Sequence, residues 1–138
     1  MQAQNIIDTL GLTPHPEGGW YTQTWQDETK PRAQGTCIYF LLEPGQKSHW
    51  HKVDAAEIWH FYAGDPLVLS ISEEDTGPRV DHILGPDLSQ GQRPQIFVPT
   101  GFWQAAYAPK GWTLVGCTVT PGFEFSGFEL APPGFDIP

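Results

Sequence analysis

Residues 45–64 read Gly45-Gln-Lys-Ser-His49-Trp-His51-Lys-Val-Asp-Ala-Ala-Glu57-Ile-Trp-His-Phe-Tyr-Ala-Gly64. Residues two apart on a strand point the same way, so a strand here sends His49 and His51 to one side and Trp50 to the other. After a short turn, Glu57, Trp59 and Phe61 share one face of the next strand. If both faces look into one interior, two imidazoles and a carboxylate converge. That set suits a divalent first-row metal with open coordination positions. An HxH pair alone is common on half-exposed strands; a Glu six residues after the second His, with glycine at both ends, makes the pattern more specific. His60 falls on the opposite face from Glu57 and reads as a structural or interface residue.

The rest of the chain supplies elements of the same kind. Turn signals recur at Glu43-Pro-Gly, Gly64-Asp-Pro, Asp75-Thr-Gly-Pro, Gly85-Pro-Asp, Pro99-Thr-Gly, Pro109-Lys-Gly and Pro121-Gly. Between them lie short runs rich in β-branched and aromatic residues, the mark of an all-β sandwich or barrel. The strands expected are Trp20–Trp25, Thr36–Leu42, Ser48–Val53, Ala56–Ala63, Leu67–Ser72, Val80–Leu84, Gln95–Val98, Gln104–Tyr107 and Thr113–Val119. Thr36–Leu42 is apolar on both faces, which suits burial on both sides and a subunit contact. A helix is expected over Ala3–Leu10, with Ile6, Ile7 and Leu10 as its apolar stripe and Gly11 as its stop. No repeat or linker divides residues 1–138, so one domain is expected. Ala131–Pro138 should run as irregular surface chain.

Composition narrows the partners. Sixteen acidic residues against seven basic ones give a formal charge of −9. A phosphate backbone would be repelled, and no Lys/Arg cluster offers a local exception. No apolar run approaches the roughly 20 residues a membrane span needs, and the start of the chain lacks a secretory pattern. Cys37 and Cys117 sit inside apolar runs without CxxC spacing and read as reduced thiols. A cytoplasmic location, without nucleic-acid or membrane partners, is the expectation.

The opening stretch, with its flanking glycines, resembles the first cupin motif, and Val98-Pro-Thr-Gly101-Phe-Trp-Gln104 resembles the second. That second motif places a His three residues after its glycine; here the position holds Gln104, whose amide oxygen is a weaker metal ligand than imidazole. A closer resemblance, over nearly the whole chain, is to the DUF985 (Cupin_5) family. It is carried by Leu10-Gly-Leu-Thr-Pro-His-Pro-Glu-Gly-Gly-Trp-Tyr21, Ile38-Tyr-Phe-Leu-Leu-Glu-Pro-Gly45, Glu57-Ile-Trp-His-Phe-Tyr-Ala-Gly-Asp-Pro66, Leu84-Gly-Pro-Asp87 and Val115-Gly-Cys-Thr-Val-Thr-Pro-Gly-Phe123. The resemblance implies an all-β cupin jelly-roll β-barrel (a double-stranded β-helix) with a short N-terminal helix. It also implies a homodimer and a small-molecule pocket like those of sugar-nucleotide epimerases and other small-molecule cupins.

On this basis His49, His51, Glu57 and Gln104 are the candidate ligands of a divalent metal (Mn, Fe, Ni or Zn), and His51 and Glu57 the candidate catalytic groups. Tyr39, Trp59, Phe61 and Trp103 are the candidate substrate-binding residues. Tyr39 and Tyr21 are also candidate proton donors. His15 reads as turn architecture and Arg32 as a surface ion-pair residue. Three functions fit: a metal-dependent enzyme acting on an oxygen-bearing substrate, a metal-free isomerase or epimerase of a sugar or nucleotide sugar, and a non-catalytic module for a small ligand.

Overall fold

Glycine and proline turns cut the chain into short β-branched and aromatic runs, and these pair into two antiparallel sheets. The computed structural model describes residues 1–138. Helix α1 (Ala3–Leu10) is followed by β1 (Thr13–Pro14), β2 (Trp20–Gln26), β3 (Thr36–Leu42), β4 (Lys47–Val53) and β5 (Ala56–Gly64). Then come β6 (Leu67–Ser72), β7 (Val80–Leu84), β8 (Gln95–Val98), β9 (Trp103–Tyr107), β10 (Thr113–Thr120) and β11 (Phe128–Leu130). One sheet has the order β1-β2-β3-β10-β5-β8 and the other β11-β4-β9-β6-β7. From β3 onward the chain crosses between sheets at almost every step, which is jelly-roll connectivity.

The inner faces meet in a core that includes Phe40, Leu42, Trp59, Leu67, Leu69, Leu84, Val98 and Val115. A second apolar layer explains why β3 is apolar on both faces. Ala3, Ile6 and Ile7 of α1, with Leu12, close over Leu41 on the outside of the six-stranded sheet. The amphipathic helix covers that end of the strand, and Gly11 (φ 69°) ends it in the left-handed conformation.

Besides the short strands β1 and β11, which were not expected, two features depart from expectation. The segment after Leu130 is irregular but does not lie loose on the surface. Ala131 and Ile137 are buried with Trp50 and Trp103 on the outside of the five-stranded sheet. The Trp50 indole donates to Asp136 at 2.9 Å, and Pro138 accepts from the Arg79 amide at 2.9 Å. The second departure is a bulge in β4. Ser48 pairs with Ala106 and His51 with Gln104, so His49 and Trp50 together oppose the single residue Ala105. The extra residue breaks the period-two alternation. Ser48 and His51 are buried, and His49 turns away from His51.

Candidate functional site

The hairpin loop between β1 and β2 builds one wall of a cavity between the sheets. Its sequence Pro14-His-Pro-Glu-Gly-Gly19 closes with the His15 amide donating to Gly19 at 2.9 Å. Gly18 has φ +104°, and a Cβ there would stand 2.3 Å from the Lys47 carbonyl oxygen. Only glycine lets the loop lie this close to β4. The Glu17 carbonyl then accepts from the His49 amide at 2.7 Å, using a backbone donor inside the bulge. Thus His15 and Glu17, acidic and basic residues in a turn, are each more than nine-tenths buried.

The cavity has a volume of about 260 Å³. At its polar end lie His15, Glu17, His51, Glu57 and Cys117; Tyr21, Phe123, Phe125 and Phe128 supply an aromatic wall. His51 places Nδ1 2.7 Å from the His49 carbonyl oxygen. A carbonyl only accepts, so Nδ1 carries the proton and Nε2 is bare. That bare nitrogen stands 3.5 Å from Glu17 Oε2, and Ser48 donates its hydroxyl to the same oxygen. On the other side, Glu17 Oε1 is 3.3 Å from His15 Nδ1. The Glu17 amide donates to that same nitrogen at 3.2 Å, so the lone pair of His15 Nδ1 is taken up within the loop.

Burial sets the protonation states. It raises the Glu17 carboxyl to about 8, against the smaller opposing pull of the Ser48 hydrogen bond. It raises Glu57 to about 7, partly offset by His51. His15 is pushed down to about 4 by burial and by neighbouring His51, and burial lowers His51 as well. Near neutral pH the cavity therefore holds two neutral imidazoles, one protonated carboxyl and one carboxyl close to its midpoint. No Lys or Arg lines it. Arg32 is engaged elsewhere, with Asp54 at 2.8 and 3.2 Å and the Gly122 carbonyl at 2.8 Å.

Of the residues singled out from the sequence, His51 and Glu57 share the cavity. His49 does not: its Nε2 lies 3.0 Å from the Pro132 carbonyl, under the C-terminal segment. The expected alternation fails there because of the bulge. Gln104 adjoins Glu57, but both ends of its amide are used. Trp59 Nε1 donates to Oε1 at 2.7 Å, and Nε2 donates to Glu57 at 2.9 Å. The indole, having only a proton to give, fixes the amide so that Glu57 meets a donor rather than a lone pair.

The four expected substrate-binding residues also lie elsewhere. Trp59 is in the central core and Phe61 packs against it. Trp103 faces outward, 5.2 Å from the Phe135 ring. Tyr39 lies on the outside of the six-stranded sheet in a shallow depression with Leu10, Tyr62 and Leu114. Trp103 precedes inward-facing Gln104 and Tyr39 precedes inward-facing Phe40, so alternation sends both outward. Conversely, Glu17, Ser48 and the three phenylalanines were not picked out from the sequence. The one signal available was a Glu placed directly before Gly-Gly.

The donor set does not fit the metal implied by the cupin resemblance. Of the four residues that would hold it, His49 is turned away and Gln104 has its amide oxygen engaged by the Trp59 indole. No group of three His, Cys, Asp or Glu side chains is disposed to hold an ion.

Jelly-roll sheets enclosing one polar-ended cavity define a cupin-type small-molecule-binding protein. The chain belongs to the Cupin superfamily (DUF985) family, whose model matches residues 4–131. Among solved structures it is similar to protein SO0799 from Shewanella oneidensis, with 39% identity, TM-score 0.89, and coverage of 95% of this chain and 85% of that one. A hypothetical protein from Leishmania major is 30% identical, with TM-score 0.88 and coverage of 98% and 90%. Oxalate decarboxylase from Bacillus subtilis shares the fold at 14% identity and TM-score 0.66, over 85% of this chain and 29% of that one. No curated protein matches the chain. No helix is long and apolar enough to cross a membrane.

Proposed function

We propose that the cavity performs metal-independent acid–base chemistry on a compact small molecule, the work of an isomerase or epimerase. The carrying observation is the bare Nε2 of His51, facing a carboxyl inside a largely apolar cavity. The His49 carbonyl fixes the ring by holding Nδ1–H, leaving Nε2 to take a proton from a carbon or oxygen of the substrate. The resulting imidazolium would be stabilised by Glu57, whose charge already acts on His51. Glu57, poised at about 7, can deliver its own proton to the substrate, and the carboxylate it leaves balances the imidazolium. A nucleotide sugar is disfavoured, because about 260 Å³ without a cationic side chain offers its diphosphate neither room nor a partner.

The test is hydrogen exchange into a panel of compact oxo and hydroxy compounds in deuterated water, followed by proton NMR. The wild type should exchange one substrate hydrogen at a rate insensitive to chelator. His51→Asn should slow it by at least about a hundredfold. Exchange that chelator abolishes and Mn, Fe, Ni or Zn restores would establish the metal-dependent alternative instead. Ligands that bind and emerge without exchange would identify a binding module.

We further infer a homodimer formed through the outside of the six-stranded sheet. Trp25, Cys37, Thr118, Ile58 and Phe97 form one row of cross-strand partners, and Thr22, Tyr39, Gly116, His60 and Gln95 form the next. Neither row contains a charge, in a chain carrying 16 acidic and 7 basic residues. Trp25 is 55% exposed, Phe97 57% and neighbouring Tyr62 47%. A neutral aromatic face is where two copies, each of charge −9, can approach. The unbridged thiols Cys37 and Cys117 suit a reducing, cytoplasmic setting.

A further inference from the structure

We propose that His49 is a positioning residue, through which the C-terminal segment 131–138 holds His51 in the tautomer that leaves Nε2 bare. This rests on the reading of His51 Nε2 as the proton acceptor and adds what keeps it so.

The bulge in β4 is where the outside of the sheet and the cavity meet. His49 and Trp50 together oppose Ala105, so their backbone groups leave the regular ladder with β9 and need other partners. His49 turns both of its own toward the cavity. Its amide donates to the Glu17 carbonyl at 2.7 Å, and its carbonyl accepts from His51 Nδ1 at 2.7 Å. A single residue thus fastens the loop that carries Glu17 and orients the ring of His51.

The side chain of His49 points the other way. Its Nε2 lies 3.0 Å from the Pro132 carbonyl, which can only accept, so His49 carries its proton on Nε2. Trp50 is tied to the same segment: its carbonyl accepts from the Ala131 amide at 3.0 Å, and its indole donates to Asp136 at 2.9 Å. Both bulge residues are therefore anchored from outside by one stretch of chain.

The consequence for His51 turns on one carbonyl. With the His49 carbonyl in place, the His51 proton sits on Nδ1. If the peptide between His49 and Trp50 rotates, Nδ1 loses its acceptor. Nε2 faces Glu17 Oε2 at 3.5 Å and can then donate there instead. The ring would present a proton where it must present a lone pair, and the base would be lost without leaving its place. In the pair His49-Trp-His51, one imidazole is the base and the other is its lock.

The test uses the full chain, isotope-labelled in its histidine nitrogens, and long-range proton–nitrogen NMR at about pH 8, where imidazoles are neutral. The wild type should show His51 protonated on Nδ1 and His49 on Nε2. His49→Phe keeps a ring but has no donor, and should raise the Nε2–H form of His51 to at least about a third of the population. His49→Gln, whose amide nitrogen can donate to the same carbonyl, should restore the Nδ1–H form to about nine-tenths or more. Asp136→Ala removes the partner of the Trp50 indole at an exposed site and should shift His51 in the same direction. A folded His49→Phe protein whose His51 keeps its proton on Nδ1 would overturn the proposal. Where melting curves show that variant unfolded, the same result with Asp136→Ala overturns it. So would a wild-type His51 protonated on Nε2, or a His49→Gln protein that matches His49→Phe. The tautomer is read without substrate, so this proposal can fail while hydrogen exchange into a substrate persists, or stand when exchange is absent.

Discussion

A carboxyl that keeps its proton to about pH 8 makes the folded chain sensitive to alkali. An unfolded chain releases that proton near 4.5, so between 4.5 and 8 the folded state holds a proton the unfolded state lacks. Stability contributed by Glu17 is therefore complete at low pH and falls as pH rises through the window, by up to about 1.4 kcal/mol per unit. His15 acts oppositely: it stays neutral down to about 4 against an ordinary 6.5, so stability falls as pH drops through that interval. The two effects oppose each other from 4.5 to 6.5, and above 6.5 Glu17 acts without that opposition. From pH 6.5 to 8 the wild type should lose roughly 2 kcal/mol through Glu17, with a smaller share from Glu57. Glu17→Gln should remove most of that slope in urea denaturation at constant ionic strength; an unchanged slope would assign it to another group. At this scale the sequence was half legible. Alternation placed His51 and Glu57 in one interior, but it carries no information about an inserted residue, so His49 was misdirected. Glu17 has no periodicity to betray it, because its burial comes from a loop folded onto a strand distant in the chain.

The hairpin loop and the bulge it fastens form one unit, and Gly18 is the point of contact. Gly18→Ala combines a left-handed backbone with a Cβ 2.3 Å from the Lys47 carbonyl, whereas Gly45→Ala has a similar backbone (φ +77°) and nothing within 4 Å. The Gly45 variant should lose about 1 kcal/mol. The Gly18 variant should lose at least about 2–3 kcal/mol and ligand binding with it, because the loop must lift from β4. Equal losses in chemical denaturation would mean that the loop is not clamped. Longer elements were readable because each offers several alternations. Leu67, Leu69 and Ile71 mark β6, and Val115, Cys117 and Val119 mark β10. The two-residue β1 contains a proline and the three-residue β11 follows a glycine turn, so neither offers a pattern to detect.

At the level of the molecule, the neutral outer face of the six-stranded sheet should govern assembly. Sedimentation velocity should give twice the chain mass of 15.4 kDa for the wild type. Phe97→Glu should give the single chain at micromolar concentration, because a two-fold axis brings each new charge near its own copy. A wild type sedimenting as one chain would dispose of the dimer. Part of this surface was visible in the doubly apolar run Thr36–Leu42. Its division between helix cover at Leu41 and open sheet at Cys37 and Tyr39 was not, because the helix docks from a separate stretch of sequence. On the opposite sheet, residues 131–138 cap Trp50 and Trp103 with Ile137, which is fully buried. A protease nick after Leu130 would thus leave every strand in place yet uncover two indoles, turning a well-behaved molecule adhesive. Protection against clumping is stored in the least regular part of the chain.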